Sequence, residues 1–283
     1  MNKSFLAILI ILALVALTGC IGGTETGPTF KGTGLVTSLT VPTEVVPSTP
    51  INILANVKNV ASENASEIFL YLQGLEGWNV QNPLQTLSLL QSKDTYTFSW
   101  LAYSPSAGNK TYEPKIDVFY KMKTVANLKL RVYDNNYLES LPQSKRDEIK
   151  KKSALLSFSS STGTPVTIST EIKQPFILAY ETQEFPFIIN IRNIGNGFVY
   201  SPTSDYRFLT VLTANQTVFD ASSNYTLSCD VGEHALLQLG NSKAVVCKVI
   251  AKRSEIANYT DVAVNFTLSY AYLYSVNASI KVK

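Results

Sequence analysis

From Leu35 onward the chain alternates between apolar and polar positions. Ile51, Ile53, Ala55 and Val57 are separated by Asn52, Leu54 and Asn56, and Ile116, Val118, Tyr120 and Met122 by Asp117, Phe119 and Lys121. Val262, Val264, Phe266, Leu268, Tyr270 and Tyr272 interleave with Ala263, Asn265, Thr267, Ser269 and Ala271. A period of two puts every second side chain on one face of an extended strand, so these runs predict half-buried antiparallel strands and an all-β fold. Aromatic and β-branched residues, which suit a pleated surface, are frequent in them. The stripe of Tyr270, Tyr272 and Tyr274 has strand spacing and reads as core.

The chain also repeats itself. Ala55-Asn56-Val57-Lys58-Asn59-Val60 matches Ile189-Asn190-Ile191-Arg192-Asn193-Ile194 at an offset of 134, and Tyr120–Val132 matches Tyr270–Val282 at an offset of 150. Both offsets are even, so the inward and outward faces are kept in each copy. The repeat predicts two tandem immunoglobulin-like β-sandwiches, over 35–137 and 164–283, the second with a longer middle, with one large sandwich as the alternative. Each copy opens with a strand followed by Pro42 or Pro175. Between the copies, 138–163 reads as a linker. There Ser144-Lys145-Arg146-Asp147 suggests a capping start, Glu148–Leu156 a short helix and Ser157–Thr164 a loose joint. Lys145, Arg146, Lys150, Lys151 and Lys152 make the helix basic. The plainer reading of that face is solvation, and contact with anionic lipid is the alternative.

The first twenty residues set the compartment. Lys3 precedes Phe5–Leu17, an unbroken apolar run of thirteen residues. That is short of the roughly 20 residues of a bilayer span but has the length of a signal-peptide core. It ends in Leu17-Thr18-Gly19-Cys20, which resembles the lipobox of prokaryotic lipoproteins. The resemblance implies that 1–19 is a signal peptide and that Cys20 becomes the lipid-bearing first residue of the mature chain. An ordinary cleaved signal and an uncleaved anchor helix are the alternatives. Residues 20–34, rich in Gly and Thr, read as a tether reaching at most about 50 Å.

Composition then narrows the chemistry. The 283 residues carry a net charge of +3, one histidine and three cysteines. This balance gives no nucleic-acid footprint. A single histidine excludes a multi-His metal site, and three cysteines exclude an all-thiolate zinc site within the chain. No metal or cofactor is expected. With Cys20 assigned to lipid, Cys229 and Cys247 remain, and outside the cytoplasm such a pair is expected to form a disulfide that pins the longer middle of the second copy. Two reduced thiols are the alternative. Asn-X-Ser/Thr sequons stand at Asn64, Asn109, Asn215, Asn224, Asn258, Asn265 and Asn277. In an archaeal host some are expected to carry glycans. Asn265 and Asn277 fall on the outward face of their strand.

Two residues need weighing. Trp78, in a Gly-flanked loop, either grips a sugar or partner protein or folds back as a lid on the core. His234 follows Glu233 and reads as a turn residue rather than a catalytic base, since no nucleophile elbow accompanies any serine. The opening strand, the Asn-Val-Lys-Asn and Asn-Ile-Arg-Asn-Ile-Gly strand ends and the final Tyr-rich strand resemble the CARDB and related Ig-like repeats of archaeal and bacterial surface proteins. The first copy departs from them at Ala61-Ser62, where a Gly is usual. That resemblance implies extracellular binding, adhesion or spacing without catalysis. The expectation is a lipid-anchored surface module whose partners are the membrane and an envelope protein or polysaccharide. One alternative is an accessory subunit of a pilus, transporter or surface-layer complex, docking through an edge strand. Another is an envelope hydrolase.

Overall fold

Pro42 and Pro175 lie where the opening strand of each copy gives way to a strand in another sheet. The computed structural model describes residues 33–210, 212, 218–221, 225–230 and 242–283. Strand β1 (Leu35–Thr40) pairs with β3 (Pro50–Asn59), and β3 continues through β7 (Thr95–Tyr103) to β5 (Asn79–Val80), forming one four-stranded sheet. Pro42 then removes a backbone donor, the ladder stops, and β2 (Glu44–Val45) leaves for another sheet, where it runs parallel to β19 (Ile280–Val282). The second copy repeats the move. Its sheet has the order β11 (Val166–Glu171), β13 (Thr182–Asn193), β17 (Ser242–Lys252) and β16 (Thr226–Asp230). After Pro175, β12 (Phe176–Leu178) crosses to run parallel to the end of β9 (Lys115–Asp134).

Both small sheets cover one shared sheet. Its eight strands include β14 (Phe198–Tyr200), β18 (Tyr259–Asn277), β9, β4 (Ala65–Gln73) and β6 (Leu84–Leu90) in that order. β15 (Val218–Ala221) adds to β18, while β10 (Leu155–Ser160) and β12 add to β9. The centre is an antiparallel ribbon in which all 19 residues of β18 pair with β9. At about 3.3 Å per residue it is roughly 60 Å long. Tyr120 faces Tyr272 and Met122 faces Tyr270. Adding the repeat offset to one strand and subtracting it from the other turns each of these pairs into the other. The ribbon therefore has a pseudo-two-fold axis, which passes through Lys121 and Ala271.

The alternation predicts the core well. Ile53, Ala55 and Val57, the even positions of β9 from Ile116 to Asp134, and those of β18 from Val262 to Val276 are all buried. One bulge breaks parity. Glu67 sits at φ +46, and the inward positions of β4 change from Ala65 to Ile68, Leu70 and Leu72.

The repeated strand ends have one shared cause. Asn59 donates through Nδ2 to Glu63 O at 2.9 Å and accepts from Ala61 N–H at 3.0 Å. Asn193 donates to Gly197 O at 2.9 Å and accepts from Gly195 N–H at 3.1 Å. Each buried Asn thus ties the following turn to itself. A Cβ at Gly195 would stand 2.2 Å from the Tyr272 hydroxyl. The first copy has Met122 at the place of Tyr272 and lacks that hydroxyl, which accounts for Ala61.

The sequence division at 137/138 and 163/164 follows the repeat, but strands cross it. The end of β18 lies beside the start of β9, β12 closes the other edge of β9, and β19 sits between β2 and β8 (Lys110–Tyr112). The segment 138–163 is more than a linker, because it supplies β10. The helix expected over 148–156 is also corrected. Helix α1 (Asn135–Ser140) is capped by Asp134, which accepts from Asn136 and Tyr137 N–H. Helix α2 (Gln143–Lys150) starts after Pro142 without a side-chain cap and stops at Lys151. Ser153 then binds Leu155 N–H and Ile172 O, and Leu155–Ser160 takes the open edge of β9 as a strand. The exposed ladder of β9 outcompetes local helix propensity here.

Candidate functional site on the outward face of the shared sheet

The odd positions of β9 and β18 point away from the small sheets, and two hollows lie on this side. The first is a polar cleft of about 500 Å3, lined by Glu63, Asn64, Ser66, Lys121, Lys123 and Ser269 among others. It opens where the sheet splits. β4 pairs with β9 only as far as Lys121, and β10 takes over at Ala126. Lys121 binds Glu67 at 2.6 Å, Lys123 lies 4.0 Å from Glu63, and the Ser161 hydroxyl donates to Glu63 at 2.8 Å. Charges of both signs are therefore matched. The lining offers hydroxyl, amide and paired ionic groups, a set that suits a hydroxyl-rich polar ligand. Lys121 lies on the pseudo-two-fold, so both copies contribute.

Beside it is an aromatic shelf of about 220 Å3, lined by Phe69, Tyr71, Phe119, Tyr206, Leu209 and Leu273. The loop 201–210 folds over the sheet to build it. Asp205 accepts from Arg207 and Phe208 N–H at 2.7 and 2.9 Å, and Ser204 N–H donates to Ser201 O. Tyr206 stacks on Phe69 at 5.0 Å, and Phe208 is left 73% exposed. Sequence reasoning missed this shelf because it treats outward positions as solvated. Its signal was the continuous apolar run Ile68-Phe69-Leu70-Tyr71-Leu72, which puts apolar side chains on both faces of one strand; outward, Phe69 is partly covered and Tyr71 stays exposed.

The residues singled out from sequence are scattered. Cys20, Asn215, Asn224 and His234 lie outside the described residues. Asn64 lines the polar cleft, and Asn109, Asn258, Asn265 and Asn277 are all exposed. Trp78 is corrected as a binding candidate. It is 9% exposed and packs edge-on against Tyr112 at 5.6 Å, so its ring serves the core. The basic helix face is partly neutralised, since Glu148 pairs with Lys145 and Lys152 and Glu139 with Arg146. Cys229 and Cys247 are bonded, and they face each other across β16 and β17 with Cα atoms 4.0 Å apart. Reduction is expected to cost about 3 kcal/mol for a loop of this length. Urea unfolding with and without reductant checks this.

Behind the cleft, four tyrosines fill the seam between the sandwiches. Tyr120 lies 5.6 Å from Tyr272 and 6.3 Å from Tyr274, ring to ring. Each hydroxyl has a partner: Leu35 N–H for Tyr120, Thr124 for Tyr270, Gly197 N–H for Tyr272 and Thr37 for Tyr274. Burial pushes the Tyr272 phenol up to about 12, against an opposing pull from its bonds to Gly197 and Asn193. Burial likewise raises Tyr120, Tyr270 and Tyr274. Folded pKa values above the unfolded value of 10 mean that the native state holds these protons longer. Their contribution is intact below about pH 10 and is lost as pH rises toward the folded values. The expected result is cooperative alkaline unfolding in which the last phenolate absorbance to rise, that of these four buried rings, appears together with loss of β circular dichroism. Ionisation of all fifteen tyrosines before the β signal is lost would contradict it.

Among the described residues no cluster of three His, Cys, Asp or Glu could hold a metal, and no helix is long and apolar enough to cross a membrane. No protein family and no curated protein matches the chain. Among solved structures it is similar to the secreted serine protease VesC from Vibrio cholerae, at 9% identity and a TM-score of 0.25, over 85% of this chain and 49% of that one. The chain thus spans about half that protein's length. It is also similar to the CupB6 tip adhesin from Pseudomonas aeruginosa, at 9% identity and a TM-score of 0.13, over 83% of this chain and 89% of that one.

Proposed function

We propose that this is a lipid-anchored, non-catalytic cell-surface protein that holds a binding face at a set distance from the membrane. The carrying observation is the order of parts at its N-terminus. An apolar leader ends in Leu17-Thr18-Gly19-Cys20, and a Gly/Thr-rich tether then meets the fold at Gly34. Two acyl chains hold a protein stably where one is marginal. The Ig-like repeat character, the disulfide and the sequons support an extracytoplasmic setting. The polar cleft and aromatic shelf together suit an envelope polysaccharide or protein, because aromatic rings and hydrogen-bonding groups lie side by side. Phase partition and protease treatment of intact cells test the reading. The protein should enter the detergent phase and be digested from outside. Recovery in the aqueous phase, protected from protease, would refute it.

A second reading, an accessory subunit of an envelope assembly, is favoured by exposed Phe198 and Phe208 and by the position of β6 at the edge of the shared sheet. Cross-linking on cells separates the two. One stoichiometric protein partner favours the subunit, and no protein partner favours the free-standing module.

A further inference from the structure

Asparagine lies on both sides of the fold, but the two sequon asparagines inside described strands, Asn265 and Asn277, lie on one side. Asn64, just ahead of β4, joins them, while Asn109 and Asn258 stand outside the strands, ahead of β8 and β18. On the outward positions of the small sheets, Asn52, Asn56 and Asn190 are each followed at the second residue by Leu, Lys or Arg. On the outward side of the shared sheet stand Asn64-Ala65-Ser66, Asn265-Phe266-Thr267 and Asn277-Ala278-Ser279. The period of a strand puts Asn265 and Thr267 on the same face, so an enzyme approaching from outside meets both. The carboxamide oxygen of Asn64 accepts from Ser92 N–H at 2.9 Å, which orients the group at the mouth of the polar cleft.

The point where the tether joins lies on the opposite side. Tyr120 projects inward from the shared sheet, and its hydroxyl accepts from Leu35 N–H. Gly34, at φ +80, fits against that hydroxyl and Pro165, and its N–H reaches Gly163 O at 2.5 Å. Gly34, which leads into β1, therefore lies at the seam, on the small-sheet side.

We propose that Asn64, Asn265 and Asn277 are N-glycan acceptors and that the outward face of the shared sheet is the glycan-bearing side, opposite the side on which Gly34 leads into β1. This rests on the surface location proposed above. The donor class is an oligosaccharide carried on a polyisoprenyl phosphate. The Asn nitrogen forms a bond to the anomeric carbon, and the bond from that carbon to the phosphate oxygen breaks. The amide proton passes to a base of the host transferase, and the lipid phosphate leaves with the electron pair.

The test uses the full-length protein purified from the cells that make it, recovered from the outer membrane surface and mapped by glycopeptide mass spectrometry. Saccharide mass is expected on the peptides holding Asn64, Asn265 and Asn277. Asn265→Gln and Asn277→Gln should each lose one increment while keeping the native circular dichroism. Surface-recovered protein with unmodified asparagine at the three positions would overturn this inference alone. Protein recovered from the cytosol would overturn it together with the reading it rests on.

Discussion

Chains divided between Gly163 and Thr164 are expected to give two fragments that stay unfolded apart and fold when mixed. The first fragment keeps β9 but loses β18 from one of its edges and the second small sheet from above its C-terminal half. Ala126, Leu128, Leu130 and Val132, all buried in the intact protein, would face water. Each large aliphatic side chain exposed costs roughly 1.5–3 kcal/mol. The sum is comparable with the whole stability of a domain, about 5–15 kcal/mol. The first fragment also loses β19 from between β2 and β8, and with it buried Ile280 and Val282. The second fragment loses β9 from beside β18 and its partner for β12. Circular dichroism and size exclusion on each fragment and on the mixture read this out. A folded monomer from either fragment alone would show that the exchanged strands are dispensable.

Tyr120→Ala is expected to destabilise the intact chain by about 3–5 kcal/mol, the range for truncating a buried aromatic ring. The side chain has no exposure, its ring meets Tyr272 and Tyr274, and its hydroxyl receives the first backbone donor of β1. Tyr120→Phe keeps the ring and loses one hydrogen bond, so about 1 kcal/mol is expected. Tyr180, 71% exposed, serves as the comparison, and its replacement by alanine should change stability by no more than about 0.5 kcal/mol. Urea denaturation at constant m-value measures all three. A loss at Tyr120 no larger than at Tyr180 would remove the seam as a stability centre.

The alternation made the inward faces legible, since a period of two reports burial whatever lies beside the strand. That same property hid the topology. Tyr120 and Tyr272 would be inward whether β9 paired within its own copy or with β18, so nothing in the pattern announced the exchange. The buried Asn59 and Asn193 were visible only as similar strand ends, because their role depends on closing turns in three dimensions. β10 was misread for a related reason. Leu155–Ser160 has weak local preference, and the unpaired edge of β9 supplies what its sequence lacks. The polar cleft was illegible because its lining comes from five separate stretches of chain, brought together where β4 leaves β9. The aromatic shelf needs the loop 201–210 laid over Phe69 and Phe119, a contact no local pattern encodes. Trp78 left two readings open, and the packing of its ring on Tyr112 chose the core.

Anchoring through Cys20 is the claim on which the functional reading stands. The direct measurement is the intact mass of the N-terminal peptide of the protein extracted from membranes, compared with Cys20→Ala. The account predicts a mature chain that begins at Cys20 and carries a diacylglyceryl mass. It also predicts that the variant is released or remains as unprocessed precursor. A wild-type chain with an unmodified Cys20 thiol, together with a variant that is processed and membrane-bound to the same extent, would contradict it.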